Sequence, residues 1–395
     1  MPEYDVIVVG AGIVGLAHAL AARRHGLSTL VIDRDDIAVG ASIRNFGFIT
    51  VTGQADGDTW RRAMRSRDVW AEIAPKAGIQ VIHHGLTVVA RRPEALTCLE
   101  EFAASKPMGV GCTVSQGTSD AKSKAVLNKD KGAIAGTMWS PHELRVESRT
   151  AIPKLAAYLK NVLGVHFATR TAVTAVASGK VTTTQGVFEA PNIVVCPGPD
   201  LSTLFPEVFK RRNVTLCKLH MFRVAPPSSG YTLPSAVMSD LGLVRYLGYQ
   251  TPSLPALRKR LDQEQKPLLD DGIHLIVVQS ADGSLVVGDS HHYGYTLDPF
   301  QPKAVDDRIL EEFKLVLDFP NPVITERWTG YYPSGPDPMF METVAPGVRL
   351  VSVTSGTGAS TSFAIAEETL ADLLGKPAPP HAHRNWTGGS VPSKL

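Results

Sequence analysis

Val6-Ile7-Val8-Val9-Gly10-Ala11-Gly12-Ile13-Val14-Gly15 opens the chain with an apolar run and three closely spaced glycines. Four apolar residues read as a buried strand, and Gly10, Gly12 and Gly15 follow in the spacing G-x-G-x-x-G. A helix-forming run covers 16–24, and after Gly26 a second apolar run, 29–32, ends on Asp33. Gly10 allows a tight turn, Gly12 lets the backbone approach a pyrophosphate, and Gly15 lets helix and strand pack closely. The pyrophosphate would rest on the N–H groups at the helix start, where the dipole favours an anion. Asp33 closes the unit by accepting from ribose hydroxyls. The unit predicts a site for an ADP group and leaves NAD and FAD both open.

At 395 residues the chain is long enough for two domains, with 44% apolar and 20% charged residues, as in an ordinary globular protein. A formal charge of +2 argues against dedicated nucleic-acid or membrane-surface binding. No apolar run approaches the ~20 residues of a membrane span. The acidic start Met1-Pro2-Glu3-Tyr4-Asp5 runs straight into the first strand, so no signal peptide is expected. Cys98, Cys112, Cys196 and Cys217 are scattered without a C-x-x-C pair. They read as reduced thiols of a cytoplasmic enzyme, with no disulfide frame and no metal site.

After a polar turn from Arg34, residues 41–49 mix small, hydrogen-bonding and aromatic types, which suits a loop against a ligand. Periodicity predicts helices over 58–77, 93–105, 149–163, 255–263, 305–317 and 363–374, and a short helix over 119–127 within a Gly-, Ser- and Lys-rich stretch. Strands are expected at 81–90, 165–167, 172–177, 179–188, 193–196, 215–224, 244–248, 273–279, 285–289, 324–330 and 348–353. On 215–224, Lys218 and His220 share a face that reads as solvated, and His142 reads as a loop residue after Pro141. The α/β pattern stops and returns. That predicts an α/β fold with an α+β insert: a Rossmann-like domain from 1–83, 143–214 and 324–375, and a smaller, mostly antiparallel-sheet substrate domain from 84–142 and 215–323. Residues 376–395 are Pro-rich and read as a flexible tail.

Near the far end, Thr354-Ser355-Gly356-Thr357-Gly358-Ala359-Ser360-Thr361 lies between a strand and a helix, a second cradle for negative charge. One cradle near each end suits a long cofactor lying extended, which FAD is. Here the sequence resembles the FAD-dependent amine oxidases of the D-amino acid oxidase superfamily, in the glycine and sarcosine oxidase branch. The resemblance rests on the first glycine block, on Gly40-Ala41-Ser42-Ile43-Arg44-Asn45-Phe46-Gly47, on Ile193-Val194-Val195-Cys196-Pro197-Gly198, on Trp328-Thr329-Gly330-Tyr331-Tyr332-Pro333-Ser334-Gly335-Pro336-Asp337 and on 355–361. It implies FAD contacts at Gly10, Gly12, Ile13, Val14, Gly15, Asp33 and Arg34, and at Ala41, Ser42, Arg44, Asn45, Phe46 and Gly47. Val173 would meet the adenine end through its backbone, and Gly198 belongs to the same set. Gly356, Thr357, Gly358, Ala359, Ser360 and Thr361 would lie near the flavin's pyrimidine edge.

Two departures from the branch bear on the substrate. Its carboxylate-binding arginine is matched here by Tyr332, and one phenol cannot replace a bidentate guanidinium. The cysteine that carries covalent FAD in monomeric sarcosine oxidases is matched by Gly330 or Tyr331, with no cysteine near in the sequence, which implies non-covalent FAD. Ser42-Ile43-Arg44-Asn45-Phe46-Gly47, Leu144-Arg145-Val146-Glu147, Lys218-Leu219-His220-Met221, Val244-Arg245-Tyr246 and Gly288-Asp289-Ser290-His291-His292-Tyr293-Gly294 are similar to a narrower branch, the aminophosphonate oxidases of phosphonate breakdown. The resemblance implies oxidation of 2-aminoethylphosphonate or its N-methyl form to phosphonoacetaldehyde plus ammonia or methylamine. A hydride would pass to flavin N5, and O2 or another acceptor would take the electrons, so no obligate catalytic side chain is required. Candidate substrate contacts are His291, Arg245, Tyr332, His292, Tyr246 and Phe48. The competing readings are a glycine or sarcosine oxidase, a D-amino acid dehydrogenase, and a protein that binds FAD structurally within a larger complex.

Overall fold

A computed structural model describes residues 4–118, 122–130 and 133–383 of the chain. The first half of the chain runs β1 (Val6–Val9), α1 (Ile13–Arg24), β2 (Thr29–Ile32), β3 (Phe48–Ile49), α2 (Asp58–Lys76), β4 (Val81–Ala90), α3 (Pro93–Ala104), β5 (Thr113–Gln116), β6 (Gly136–Val146) and α4 (Ser148–Asn161). Next come β7 (His166–Ala168), β8 (Val173–Ala177), β9 (Lys180–Thr183), β10 (Gly186–Glu189), β11 (Asn192–Val195), α5 (Pro206–Arg211), β12 (Thr215–Val224) and β13 (Ala236–Ser239). The remainder is α6 (Leu254–Glu264), α7 (Lys266–Asp270), β14 (Ile276–Gln279), β15 (Leu285–Gly288), β16 (His292–Gly294), α8 (Lys303–Val316), β17 (Ile324–Ala345), β18 (Val348–Ser355) and α9 (Gly358–Leu373).

One end of the large sheet is parallel, in the order β7-β2-β1-β11-β18. Its central strands are apolar throughout because both faces are covered. Leu16 and Leu20 of α1, Leu155 of α4 and Phe363 and Leu370 of α9 pack on one face. Val173 and Val181 of the β8-β9-β10 meander, with Val208 and Phe209 of α5, pack on the other. From β18 the sheet continues through β17 into β12, β15, β14, β13, β4, β6 and β3. Leu99 and Phe102 of α3, Leu257 of α6 and Ile309 and Phe313 of α8 belong to the second core, under these strands.

The mixed α/β architecture is the expected one, and several local expectations need correction. The strand predicted at 324–330 runs on to Ala345. Its first half pairs with β12 and its last part with β18, and the ladder to β18 skips from Ser334 to Met339. Pro336 and Pro338 fall in that gap, where no ladder donor is needed. No strand forms at 244–248; a 3-10 turn spans Asp240–Val244 and sends the chain back with Tyr246 N–H donating to Gly242 O at 2.9 Å. His142 lies inside β6, buried, with Nε2 2.7 Å from Val110 O, rather than in a loop.

Helix α9 starts at Gly358, five residues before the predicted onset, because buried hydroxyls find local partners: Thr361 Oγ1 donates to Thr357 O at 2.9 Å. Lys218 and His220 are buried at 3% and 0%, not solvated. Lys218 Nζ is taken by Asp298 Oδ2 at 3.1 Å and by the carbonyls of Asp298 and Phe300. Of the helix expected over 119–127, residues 119–121 lie outside the described set and 122–126 form a turn. In the expected tail, His381 is buried beside Glu367 and Glu368; residues 384–395 lie outside the described set.

Candidate active site

The N-termini of α1 and α9 open into one cavity of about 520 Å³. Gly12, Ile13, Val14 and Gly15 line it from α1, and Gly356, Thr357, Gly358, Ala359 and Ser360 from the second cradle. Neither helix has a side-chain cap or an acidic residue in its first turn. Natural helices favour acids there; their absence leaves the dipoles, and the first-turn N–H groups not taken by Ser42 and Thr357, for a ligand's negative charge.

The glycine turn tolerates no side chain. A Cβ on Gly10, at φ +103°, would meet Cys196 O at 2.3 Å, and one on Gly15 would meet Gly10 O at 1.9 Å. Asp33 does not line the cavity. Its Oδ2 accepts from Ala11 N–H at 2.6 Å and its Oδ1 from Asp35 N–H at 2.8 Å, so it braces the turn from the end of β2.

The predicted ligand loop supplies the cavity wall between the two cradles: Ala41, Ser42, Arg44, Asn45 and Phe46 line it, followed by Phe48. Ser42 Oγ accepts from Ile13 N–H at 2.9 Å, which ties the loop to α1. Asn45 builds the loop: Nδ2 donates to Ala41 O at 2.7 Å, and Oδ1 accepts from Gly47 N–H at 2.6 Å and from Ser148 Oγ–H at 2.7 Å. Gly198 lines the cavity too. Gly10, Arg34, Gly47, Val173 and Thr361 do not. Arg34 pairs with Asp200 at 3.1 Å, and Val173 packs in the meander. These surroundings fit FAD: two helix starts for charge, a glycine turn that admits a close backbone approach, and a long cavity joining them.

Beyond the second cradle, Arg245, Tyr246, His274, Asp289, His291, Tyr293 and Tyr332 line the same cavity. His292, predicted as a contact, is turned away onto His220, with ring centroids 5.3 Å apart. Sequence reasoning missed His274 and Asp289. The β14–β15 hairpin brings them together, with Ile276 opposite Gly288 and His274 N–H donating to Asp289 O at 3.3 Å. The signal was available in the hairpin turn at Asp282-Gly283, which sets the register of everything after it. Across β12, Cys217 pairs with Tyr332 on one side and Tyr293 on the other. Tyr293 Oη accepts from Arg245 Nη2 at 2.8 Å.

Charge in this end is unusual. Burial alone would lower the Arg245 guanidinium, but Tyr332, Tyr293 and Asp289 beside it raise it above its ordinary value. Asp289 is pushed up to about 8 by burial, against the pull of Arg245. His274 and His291 are held well below the imidazole range, by burial first and by Arg245 second. Ligand atoms of His274, Asp289 and His291 lie within 4.8 Å of one another, but the guanidinium beside them opposes a second cation. Burial also raises the Tyr332 phenol well above its usual range and the Cys217 thiol to about 11, so both stay neutral donors. Cys217 is closer to this end in space than the sequence indicated. All four cysteines are free.

The sequence profile described as "DAO: FAD dependent oxidoreductase" matches residues 5–373. The chain is similar in structure to glycine oxidase from Geobacillus kaustophilus, with TM-score 0.75 and 18% identity over 95% of this chain and 96% of that one. It is also similar to L-proline dehydrogenase from P.horikoshii, with TM-score 0.76 and 18% identity over 96% of each chain. At such identities the likeness concerns the fold. A local match, 43% identical over 54 residues, links it to one of the subunits of the opine oxidase of Rhizobium meliloti, covering 14% of this chain and only 15% of that protein.

Proposed function

From the premise that this chain belongs to the DAO family of FAD-dependent oxidoreductases, we propose that it oxidises a small amine carrying an anionic tail, most specifically an aminoalkylphosphonate. FAD is its cofactor. The chemistry that bound FAD would supply is acceptance of a hydride from the carbon bearing nitrogen, with O2 or another acceptor as the final oxidant. Bound non-covalently, it would lie with its diphosphate on α1, beside Ser42 and Arg44, and its other end on the α9 cradle. In this division of labour 1–83, 143–214 and 324–375 hold FAD, and 84–142 with 215–323 shape the substrate end.

The observation that carries the substrate reading is Arg245, a guanidinium that lines the cavity, donates to Tyr293 Oη at 2.8 Å and is bound to no carboxylate among the described residues, with Tyr332 lining the same end. A phosphonate has three oxygens and up to two charges. One fork of donors and two neutral phenols could satisfy it. Glycine and L-proline, named in the two structural neighbours, are also amines with an anionic group, which supports the coarser reading. Phe46 and Phe48 would exclude water around the reacting carbon, and the residues around Arg245 would orient it. No helix among the described residues is long and apolar enough to cross a membrane, and the free cysteines suit a reducing, cytoplasmic setting.

The test is a panel of 2-aminoethylphosphonate, its N-methyl form, glycine, sarcosine, D-alanine and ethylamine, added anaerobically to the flavoprotein. The reading expects flavin bleaching near 450 nm fastest with the first two. Bleaching by glycine or sarcosine alone would replace the phosphonate with a carboxylate. Readmitting oxygen separates an oxidase, which regains its colour at once and forms peroxide, from a dehydrogenase.

A further inference from the structure

We propose that His291 takes the proton from the substrate's ammonium nitrogen, and that the substrate's own anionic tail switches this on by neutralising Arg245. The inference rests on the reading of the substrate as an amine with an anionic tail. It adds a proton-accepting group and an order of events.

The ring of His291 is fixed from two sides. Its Nδ1–H donates to Gly272 O at 2.8 Å, and its backbone N–H donates to Asp271 O at 2.8 Å. That assigns the tautomer: Nε2 carries the lone pair, 3.7 Å from Asp289 Oδ2. Behind it, His274 Nδ1 stands 3.3 Å from Asp289 Oδ1, and neither atom has a hydrogen-bond partner although both are buried. Buried polar atoms are otherwise almost always paired, so these two are free to bond a proton or a water that enters from the cavity.

Several elements supply the groups facing this trio. Arg245 and Tyr246 come from the turn before α6, Cys217 from β12, Tyr293 from β16 and Tyr332 from β17, while His292, turned away onto His220, acts on His291 only as a more distant charge. Arg245 is the permanent cation among them, and after burial it is the main reason His291 resists protonation. An anion on the guanidinium removes that repulsion at the moment the ammonium arrives. The transfer itself breaks one N–H bond of the ammonium and forms Nε2–H. The amine keeps the electron pair, and no electron leaves the pair of molecules. A hydride departs readily only from a carbon bearing the free amine, so the step prepares the substrate. Asp289 faces the new imidazolium with Oδ2 3.7 Å from Nε2; it is a positioning residue, as is His274.

Two measurements test this. The first is the rate of anaerobic flavin reduction at limiting substrate against pH, using whichever amine of the panel bleaches the flavin. Wild type should reach half its plateau well below the ammonium's own pKa of about 10. His291→Gln should move that midpoint up to the amine's value. It should lose about a hundredfold near neutrality and come within a few-fold of wild type at high pH. Asp289→Asn, which keeps the side-chain shape, should shift the midpoint the same way.

The second measurement is calorimetry of ethanesulfonate, an anion with no proton of its own to exchange, in two buffers of different ionisation enthalpy. The wild-type holoenzyme should take up a proton on binding it, and His291→Gln should bind it without uptake. Failure of wild type to bind ethanesulfonate, binding without proton uptake, or an unchanged pH profile in both variants would overturn the inference. If ethylamine bleaches the flavin as fast as the tailed amines, the substrate reading and the switch at Arg245 both fail, whereas a midpoint that still moves on His291→Gln supports the proton transfer alone.

Discussion

Tyr332 stands where the resemblance places an arginine, and the fold returns a guanidinium to that end of the cavity from a different element. Arg245 arrives from a 3-10 turn where the sequence predicted a strand. Its residue type was legible; its position depended on a turn that apolar alternation hid. His274 and Asp289, fifteen residues apart, become partners only through the register that the Asp282-Gly283 turn sets. Arg245→Met should raise the half-saturating concentration of a tailed amine about tenfold to a hundredfold, the worth of a charge-assisted hydrogen bond. The half-saturating concentration of ethylamine should barely change, and an equal rise for both amines would contradict the assignment.

Asp289 also gives a stability signature. Its folded value of about 8 lies above the ordinary carboxylate value, so the fold prefers it neutral. The unfolded chain therefore binds fewer protons between those two values, and this residue's contribution to stability falls as pH rises through about 8. Asp289→Asn never ionises. Its melting temperature should gain on wild type at pH 9 and match it near pH 4. A shift of equal size at both would contradict the burial of an ionisable Asp289.

At the scale of elements, the first strand–turn–helix was fully legible, since each glycine has one mechanical reason to be there. Gly15→Ala would push a methyl group into the Gly10 carbonyl. It should yield a folded protein that purifies with little flavin, checked by circular dichroism alongside absorbance; normal flavin content would contradict the close packing described for α1. Strand β17 was only half legible. Pro333, Pro336 and Pro338 read as strand breakers, and only the sheet reveals that two of them fall in a gap between two ladders. The start of α9 was hidden because small hydroxyl residues read as loop until their buried partners are known.

At the scale of the whole molecule, the cavity runs from the helix starts over the parallel strands to the β14–β15 hairpin in the other half of the same sheet. A cofactor lying in it touches both halves, so it should stabilise the whole chain. Saturation at about a thousand times Kd contributes ~4 kcal/mol, so stripping FAD should lower the melting temperature by about five degrees. Unchanged melting on removal of FAD would show that the cofactor is peripheral to the fold.

The measurement that bears most directly on the central claim is an anaerobic titration of the flavoprotein with 2-aminoethylphosphonate, followed near 450 nm. The account predicts full bleaching by about one equivalent, with phosphonoacetaldehyde and ammonia released in matching amount. A flavin that stays oxidised under excess of this amine and its N-methyl form, yet is bleached by an amine with no anionic tail, would contradict it.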